Sequence, residues 1–540
     1  MTASIATTLT ASERAVLLAA RRGVVEDLRL RGQEERRIRG ELLRLLLTAP
    51  GELGEPSPVA VRLRGARITG SLNVGDRSII CPLALEECAF DRPLILTKAR
   101  ASNISLRGSK MRGLSARHIV MSGALNLAEG FECRGQVNLF GARMARVEAV
   151  GGRFINPNGK SLNGNYLHVE GFASFEDTII KGVVQLIGAT VNGQLDFTGA
   201  RVESAAEFSI ELDSASIHGG IEFQNATVNG GIWLVGLVSR GELAFHEASI
   251  LAPGLRAIDA SSADLGAVIL SDATIVGEVK IAGSRLRVLD CTDTTLKNEG
   301  KTCLDLDGST VSGPVHALFK EISGRLDLTN ATMETYRDTQ SSWPTSAQLI
   351  GVSIGRLRGD EEADGANRDA LRSRLEWIKL DDRYHPEKYA AVADAYRNVG
   401  RGTFATQVLM AGKREAAVST KGPGKIMALP LSLLLRVTVG YGYRLERALG
   451  WLLSLIVLGS LLIDAANKFG LFRAKESNPP FNSVLFAIDL LFPVVSLGQA
   501  DAFIACGWVQ WLTATMSLLG WLLGAIVVAA LAGLLQRKQV

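Results

Sequence analysis

The chain has 540 residues, of which 47% are hydrophobic and 21% are charged. This hydrophobic fraction excludes a disordered protein, and a content of only 15 prolines excludes collagen. The 59 basic and 55 acidic residues nearly balance, so the chain as a whole is not expected to bind nucleic acid. The mean hydropathy of +0.17 is high for a soluble protein, and most of the long uncharged runs lie near the C-terminus. The length predicts about three or four structural units.

Residues 1–55 are predicted to form a helical cap. Thr10 and Glu13 have the spacing of a capping box, and a second apolar run ends at Pro50. The segment 31–40, RGQEERRIRG, alternates in charge, which favours a solvent-exposed helix face. No charged stretch followed by an apolar one opens the sequence, so no secretory signal is predicted and the bulk of the chain is expected to face the cytoplasm.

Residues 56–350 repeat with a period of about 47 residues. The phrase glycine-x-apolar-x-apolar recurs in two ladders, which run through Gly123, Gly171, Gly220, Gly266 and Gly313 and through Gly135, Gly182, Gly231, Gly277 and Gly324. Each phrase alternates apolar and polar residues before a Gly, Asn or Asp allows a turn, which predicts short strands. Such strands bury their inward side chains only when the next coil covers them. The repeat therefore predicts a mainly β protein, a parallel β-helix with two coils in each of about five units.

Two phrases within these repeats carry a resemblance to a known family. LDFTGARV (195–202) and LDLTNATM (326–333) resemble the pentapeptide-repeat pattern, in which a small residue, Asp or Asn, then Leu or Phe recur every five residues. Phe197 and Val202 keep this step of five, whereas Phe208 follows after six. The resemblance is to a diverged relative and covers roughly residues 60–350. It implies a quadrilateral β-helix and no particular chemistry.

Residues 351–425 change to helical spacing. From Tyr389 to Gly412, large and small residues follow in the order that is typical of one tetratricopeptide-like helix pair. A single copy is too short to form a peptide groove. We therefore predict a helical hairpin that docks the solenoid against the next element.

Residues 426–540 are predicted to form a membrane domain. Two uncharged runs predict transmembrane helices at about 448–464 and 507–535, and an interrupted apolar segment between them predicts a short re-entrant or interfacial helix at 481–495. Basic residues before the first span and after the last one favour a cytoplasmic location for both ends at the bacterial inner membrane. Gly520 and Gly524 form a GxxxG motif, which favours close helix packing and a homo-oligomer.

The order of span, short helix, loop and span resembles the two-span pore module of ion channels. Asp489 would then be an ionisable residue within the membrane that asks for a functional explanation. The residues expected near the pore mouth are Ser496, Gly498, Gln499 and Asp501. The alternative, which we favour, is an anchor whose short helix lies in the interface. The string TVGYG at 438–442 matches a potassium-channel filter but precedes the first span, so we interpret it as an interfacial segment.

The sequence contains no motif of a metal, phosphate or dinucleotide site, and no catalytic residue or cofactor is predicted. The six histidines and six cysteines lack the spacing of metal ligands, and the cysteines are expected to be reduced and buried. The pairs Asp290 with Asp293 and Asp305 with Asp307 are similar to the paired acids of β-helical polysaccharide hydrolases. Because Asp305 and Asp307 alternate with leucines, we expect them to point outward as solvated side chains.

Over nearly its full length the chain resembles bacterial proteins labelled pentapeptide-repeat or membrane-associated oxidoreductase. The segments GARITGSLNV (65–74) and GYGYRLERALGWL (440–452) carry this resemblance together with the order of the domains. It implies a redox activity and brings no residue of a redox site with it. The residues themselves predict a non-enzymatic, membrane-anchored cytoplasmic scaffold or sensor, which contacts lipid and binds a protein partner through its solenoid. The alternatives are an ion-channel-like pore with a β-helix regulatory domain and the membrane-associated oxidoreductase.

Overall fold

The computed structural model describes residues 9–359, 368–419, 433, 437, 445–475, 480–492 and 497–537. The chain forms two compact units, residues 1–383 and 384–540. The helices are α1 Ala11–Arg22, α2 Gly40–Thr48, α3 Arg368–Ile378, α4 Pro386–Asn398, α5 Gly402–Ser419, α6 Leu445–Lys468, α7 Ser483–Leu491, α8 Gln499–Ala502 and α9 Val509–Arg537, with short 3₁₀ turns at Pro50–Leu53 and Gln340–Ser342.

The strands of the first unit form two large parallel sheets. The first sheet consists of Val25–Asp27, Val61–Arg64, Leu83–Glu86, Arg100–Ala101, Ile104–Ser105, Val120–Met121, Ala124–Asn126, Arg143–Met144, Arg146–Glu148, His168–Val169, Ala173–Ser174, Thr190–Val191, Leu195–Asp196, Ser216–Ile217, Ile221–Glu222, Val238–Ala244, Asp264–Ile269, Arg285–Asp290, Thr310–Ala317, Thr332–Asp338 and Ser353–Arg358. The second consists of Arg37–Arg39, Arg67–Thr69, Ala89–Phe90, Leu94–Ile95, Lys110–Met111, Leu114–Ser115, Glu132–Cys133, Val137–Asn138, Arg153–Asn163, Ile179–Gln185, Arg201–Glu211, Thr227–Trp233, Ser249–Asp259, Thr274–Lys280, Thr295–Asp305, Glu321–Asp327 and Ser346–Gln348.

These strands wind into a parallel β-solenoid, as the repeat predicts, and the solenoid has about 14 coils. Each coil crosses both sheets, and each strand pairs in parallel with the equivalent strand of the next coil. Val147 pairs with Ala173, 26 residues further on, and Ala173 pairs with Leu195 after 22 more. The period of about 47 residues is therefore one long coil followed by one short coil.

The interior of the solenoid is a column of apolar side chains. In its middle coils the rings of Phe175, Phe197, Phe223 and Phe245 stack in register, with centroids 5.2, 5.2 and 4.9 Å apart. All four rings are buried. Strand alternation directs one row of side chains inward, and burial of each Phe is worth about 1.5–3 kcal/mol. The stacked coils thus provide the core that no single short strand has.

In most coils, two corners turn through a residue in the left-handed region. Examples on one corner are Asp177, Gly199 and Asn225, and examples on the other are Gly188, Ser214 and Gly236. Asp and Asn beside Gly are the residues that tolerate this conformation best, and the sequence places them at these corners. A carboxylate two residues upstream often supports the turn, as where Asp196 accepts a hydrogen bond from the amide of Thr198.

The N-terminal cap is only partly helical, which corrects the prediction for residues 1–55. Helix α1 has the predicted capping box between Thr10 and Glu13. However, Val25–Asp27 and Arg37–Arg39 are strands that pair with Val61–Arg64 and Arg67–Thr69. The segment 31–40 is therefore a turn and an edge strand, because pairing with the next coil outweighs its local helical preference.

At the other end of the solenoid, α3 and the residues after it cover the last coils. Trp377 is completely buried, and its ring lies 5.6 Å from that of Tyr336. Leu380 accepts a hydrogen bond from the amide of Ala347, and Asp381 accepts one from the amide of Leu349. Backbone groups of a terminal coil are otherwise an open sheet edge, so these bonds close it.

The second unit contains the predicted helical hairpin, formed by α4 and α5. Tyr389, Val392 and Tyr396 are buried, and a β-carbon placed on Gly412 would lie 2.7 Å from the Tyr389 ring, which explains the small residue there. Among the described residues, one helix, Leu449–Lys468, is long and apolar enough to cross a membrane, with a mean hydropathy of 2.0. The predicted second span corresponds to α9, where the described apolar stretch is Val509–Ala525. The TVGYG string lies outside the described residues.

Candidate functional site

The connection between α6 and α9 holds the residues that the sequence singles out. It runs through a strand, Phe472–Ala474, then α7 and α8, and returns through a second strand, Phe503–Ala505, which pairs antiparallel with the first. The predicted short helix at 481–495 corresponds to α7, which is shorter. Asn482 caps it by accepting hydrogen bonds from the amides of Val484 and Leu485.

An aromatic cluster packs this connection together. The ring of Phe481 lies 5.1 Å from that of Phe472, 5.8 Å from that of Phe486 and 5.0 Å from that of Phe503. Ile463 of α6 and Met516 of α9 are buried in the same cluster. The connection is therefore compact and packs against both long helices. The cluster of its four aromatic residues was not predicted from the sequence.

Asp489 is the centre of the connection. Asp489 lies on α7, and only 8% of its surface is exposed. One carboxylate oxygen accepts a hydrogen bond of 2.8 Å from the amide of Leu497, and the other accepts one of 2.8 Å from the amide of Ala500. A buried carboxylate needs such partners, because burial without them costs several kcal/mol. The polar residue predicted from its position within an apolar segment thus holds the backbone of the following loop.

The other predicted residues have different surroundings. Gly498, which lies between the two amides bound by Asp489, has φ +79, a conformation that favours glycine. Gln499 joins the loop to the start of α7 by accepting a hydrogen bond from the amide of Asn482. Asp501 is exposed, and Ser496 lies outside the described residues. The structure thus places Asp489 of α7 against the loop that contains Gly498 and Gln499.

The two glycines of the GxxxG motif differ in their contacts. A β-carbon on Gly520 would lie 2.4 Å from the carbonyl oxygen of Leu491, so Gly520 allows α9 to pack closely against the end of α7 in the same chain. Among the described residues, and apart from the neighbouring backbone of α9 itself, no atom lies within 4 Å of the same position on Gly524. Close packing within the chain accounts for Gly520, whereas Gly524 is open to a neighbour. The homo-oligomer stays a prediction.

The acidic pairs of the solenoid support turns. Asp290 accepts a hydrogen bond from the amide of Thr292, and Asp305 accepts one from the amide of Asp307. Asp305 is only 9% exposed and also lies 3.4 Å from the amine of Lys280, so its predicted solvated position is wrong. In the described ranges, no group of three or more His, Cys, Asp or Glu side chains is placed to hold a metal ion.

Five cysteines lie buried in the solenoid, as predicted, and Cys506 of the connection is half-buried. Burial raises the pKa of the Cys88 and Cys303 thiols to about 12. Because the thiolate is the reactive form, these two residues are inert towards thiol reagents in the folded chain. The redox activity implied by the resemblance stays a prediction, which absorbance of a bound flavin in the purified protein would test.

Comparisons with known proteins add no family to these observations. No protein-family model matches the chain, no curated protein matches it, and no solved structure matches it.

Proposed function

We propose that the chain is a membrane-anchored scaffold or sensor, whose solenoid stands in the bacterial cytoplasm and binds a protein partner, and which does no catalysis. The observation that carries this proposal is that a long, exposed apolar helix lies in the same chain as the solenoid. Leu449, Leu453 and Leu461 of α6 are 60%, 63% and 64% exposed. Lipid is the environment in which such a surface is stable, because exposing contiguous apolar surface to water is unfavourable.

The charges on either side of the membrane helices support the proposed orientation. The basic residues before the apolar part of α6 are Lys421, Lys425, Arg436, Arg444 and Arg447, and those after the apolar part of α9 are Arg537 and Lys538. Lys and Arg are enriched in the short loops that lie on the cytoplasmic side of a membrane. Two spans would therefore leave the solenoid and both termini in the cytoplasm and the connection around Cys506 on the opposite face of the inner membrane.

We expect a membrane-impermeant maleimide to label the protein in intact spheroplasts at Cys506. The reason is that the other five cysteines are buried in the solenoid and, in this orientation, lie behind the membrane. Labelling should disappear in Cys506→Ser, and the five buried cysteines should react only after denaturation. Gel-shift or mass spectrometry of the labelled protein, recovered from the membrane fraction, measures this.

A matched control places the only accessible thiol on the solenoid. Ser57 is exposed, so Cys506→Ser combined with Ser57→Cys should be labelled only after the spheroplasts are lysed. Labelling of Ser57→Cys in intact spheroplasts, or recovery of the protein in the soluble fraction, would contradict the proposed anchoring.

The geometry of Asp489 favours a second candidate function, an oligomeric ion-conducting pore. A short capped helix followed by a loop, with a buried carboxylate holding the loop backbone, is an arrangement that would fix carbonyl groups along a pore. The full chain reconstituted in potassium-loaded liposomes is then expected to release the ion faster than protein-free liposomes do. Asp489→Ala should abolish the difference, and exposed Asp501→Ala should change it much less. Equal release with and without protein would exclude the pore and leave the anchored scaffold.

A further inference from the structure

The long coils of the solenoid carry a row of insertions. The segments Arg153–Asn163, Arg201–Glu211, Ser249–Asp259 and Thr295–Asp305 each contain extra residues, which appear as register shifts against the short coils on either side. Adjacent coils of a parallel sheet lie about 4.8 Å apart, so these loops repeat every 10 Å or so on one corner of the solenoid.

The second glycine ladder lies in the short coils, beneath these loops. A β-carbon on Gly231 would lie 2.5 Å from the carbonyl oxygen of Arg256, and one on Gly277 would lie 2.6 Å from that of Ala252. Gly277 also has φ +126, which side chains rarely adopt. The loops thus pack directly over the glycines and have fixed positions. The ladder in the sequence is explained by this close approach.

One groove of about 680 Å³ runs along this corner. Its lining includes one residue from each of six successive coils: Glu207, Trp233, Arg256, Glu278, Lys301 and Arg325. Five intervals of about 4.8 Å give a row about 24 Å long. An extended peptide of roughly seven residues has this length, because each residue spans about 3.3–3.6 Å.

The chemistry changes from one end of the groove to the other. At the first end, the Trp233 ring packs 4.5 Å from that of Phe208 and offers an aromatic surface beside the exposed Glu207. In the middle, Arg256 is neutralised by Asp259 at 2.9 Å and faces Glu278 at 3.8 Å.

The far end carries two cations without acidic partners. Lys301 donates to the carbonyl oxygen of Gly254 at 2.9 Å, and Arg325 donates to the hydroxyl of Thr302 at 2.8 Å. Neither has a carboxylate within 4.0 Å among the described residues, whereas Lys297 in the same coil as Lys301 pairs with Glu321 at 2.8 Å. Both cations are exposed. This end of the groove therefore presents positive charge that the solenoid itself leaves uncompensated.

We propose that this groove binds an extended, acidic peptide segment of a protein partner. Acidic side chains of the peptide would face Lys301 and Arg325, and an aromatic or aliphatic residue about five positions away would pack on Trp233. The charges fix the direction of the peptide, because Glu207 repels its acidic end. The proposal deepens the proposed scaffold function and rests on it, since it names the surface and the chemistry of the partner.

The test uses the full chain in detergent and a fluorescein-labelled heptapeptide with phenylalanine first and glutamate at the last three positions. Fluorescence anisotropy should show saturable binding that weakens as salt is added. The variant Lys301→Glu with Arg325→Glu should raise the Kd at least about tenfold, and a peptide with lysines in place of the glutamates should then bind that variant better than it binds the wild type.

A control variant carries the same change in net charge elsewhere. Lys110→Glu with Arg112→Glu alters two exposed cations of an early coil and should leave the Kd within about twofold. Failure of the acidic peptide to bind the wild type, equal binding to the Lys301 and Arg325 variant, or equal competition by a single-stranded oligonucleotide would overturn the proposal. Cys506 labelling reports on the anchoring separately, so the failure of either proposal is distinguishable from that of the other.

Discussion

Replacing Asp338 with alanine lowers the free energy of unfolding of the last solenoid coils by about 3–5 kcal/mol, the largest loss expected for a single change. Asp338 accepts two hydrogen bonds from the Arg374 guanidinium, at 2.7 and 2.9 Å, and one of 2.9 Å from the indole of Trp343. The two side chains of the ion pair are only 3% and 1% exposed. The variant would therefore remove a buried carboxylate that accepts two hydrogen bonds from the Arg374 guanidinium, at the point where α3 covers the solenoid.

Hydrogen exchange on the full chain in detergent measures this effect. Solenoids open from their ends, so the amides of Thr332–Asp338 and Ser353–Arg358 should exchange about two to four orders of magnitude faster than in the wild type. Lys379→Met, directly after α3, removes an exposed ion pair with Glu376 and should cost less than about 1 kcal/mol. Unchanged exchange in these strands, or the same acceleration in the lysine variant, would show that the pair does not hold the cap.

The second large effect is expected for Asp489→Ala. The substitution leaves the amides of Leu497 and Ala500 without their acceptor in a packed site, and each hydrogen bond to a charged group is worth about 1.5–3 kcal/mol. We expect the loop from Leu497 to Ala502 to open locally while the long helices stay folded. Its amides should exchange at least about a hundredfold faster than in the wild type.

Two further variants separate this role from a general loss of charge. Asp489→Asn keeps one side-chain acceptor and should give an intermediate exchange rate. Asp501→Ala removes an exposed carboxylate within the same loop, 12 residues after Asp489, and should leave the loop rate nearly unchanged. If Asp489→Ala and Asp501→Ala behaved alike, Asp489 would not be the residue that positions the loop.

The predictable part of the solenoid follows from its short-range pattern. The alternation in LDFTGARV, the turn at Gly199 and the ladders through Gly182 and Gly277 predict parallel coils, and the structure has them. The period of about 47 residues corresponds to one long and one short coil. Why glycine recurs in the short coils depends on which carbonyl groups of the neighbouring coils approach it. That contact joins residues from adjacent coils and has no local signature.

The predictions for segment 31–40 and for Asp305 are wrong because an interaction between coils outweighs a local preference. The segment 31–40 has the charge pattern of an exposed helix, but Arg37–Arg39 gains backbone hydrogen bonds as a strand beside Arg67–Thr69. Asp305 has the alternation of a solvated side chain, but the neighbouring coil and Lys280 enclose it. Sequence spacing sets the direction of a side chain, whereas neighbouring coils set its burial.

In the candidate site, Asp489 was identifiable because a carboxylate within an apolar segment is costly without partners. The Asn482 cap was also predictable from the sequence, since Asn before an apolar run is a helix-start signal. The aromatic cluster was not, because Phe472 and Phe503 come from segments about thirty residues apart that meet only through antiparallel pairing.

A solenoid with helical ends and a C-terminal apolar region is predictable from the local sequence, because strand alternation, turn residues and uncharged runs are local properties. Which of the described cations lack an acidic partner depends on how the coils are brought together. Lys301 and Arg325 are brought side by side by the winding of one coil, whereas Lys297 meets Glu321 through the same winding. Charges more than twenty residues apart pair or remain unpaired according to register, which backbone pairing sets and composition does not reveal.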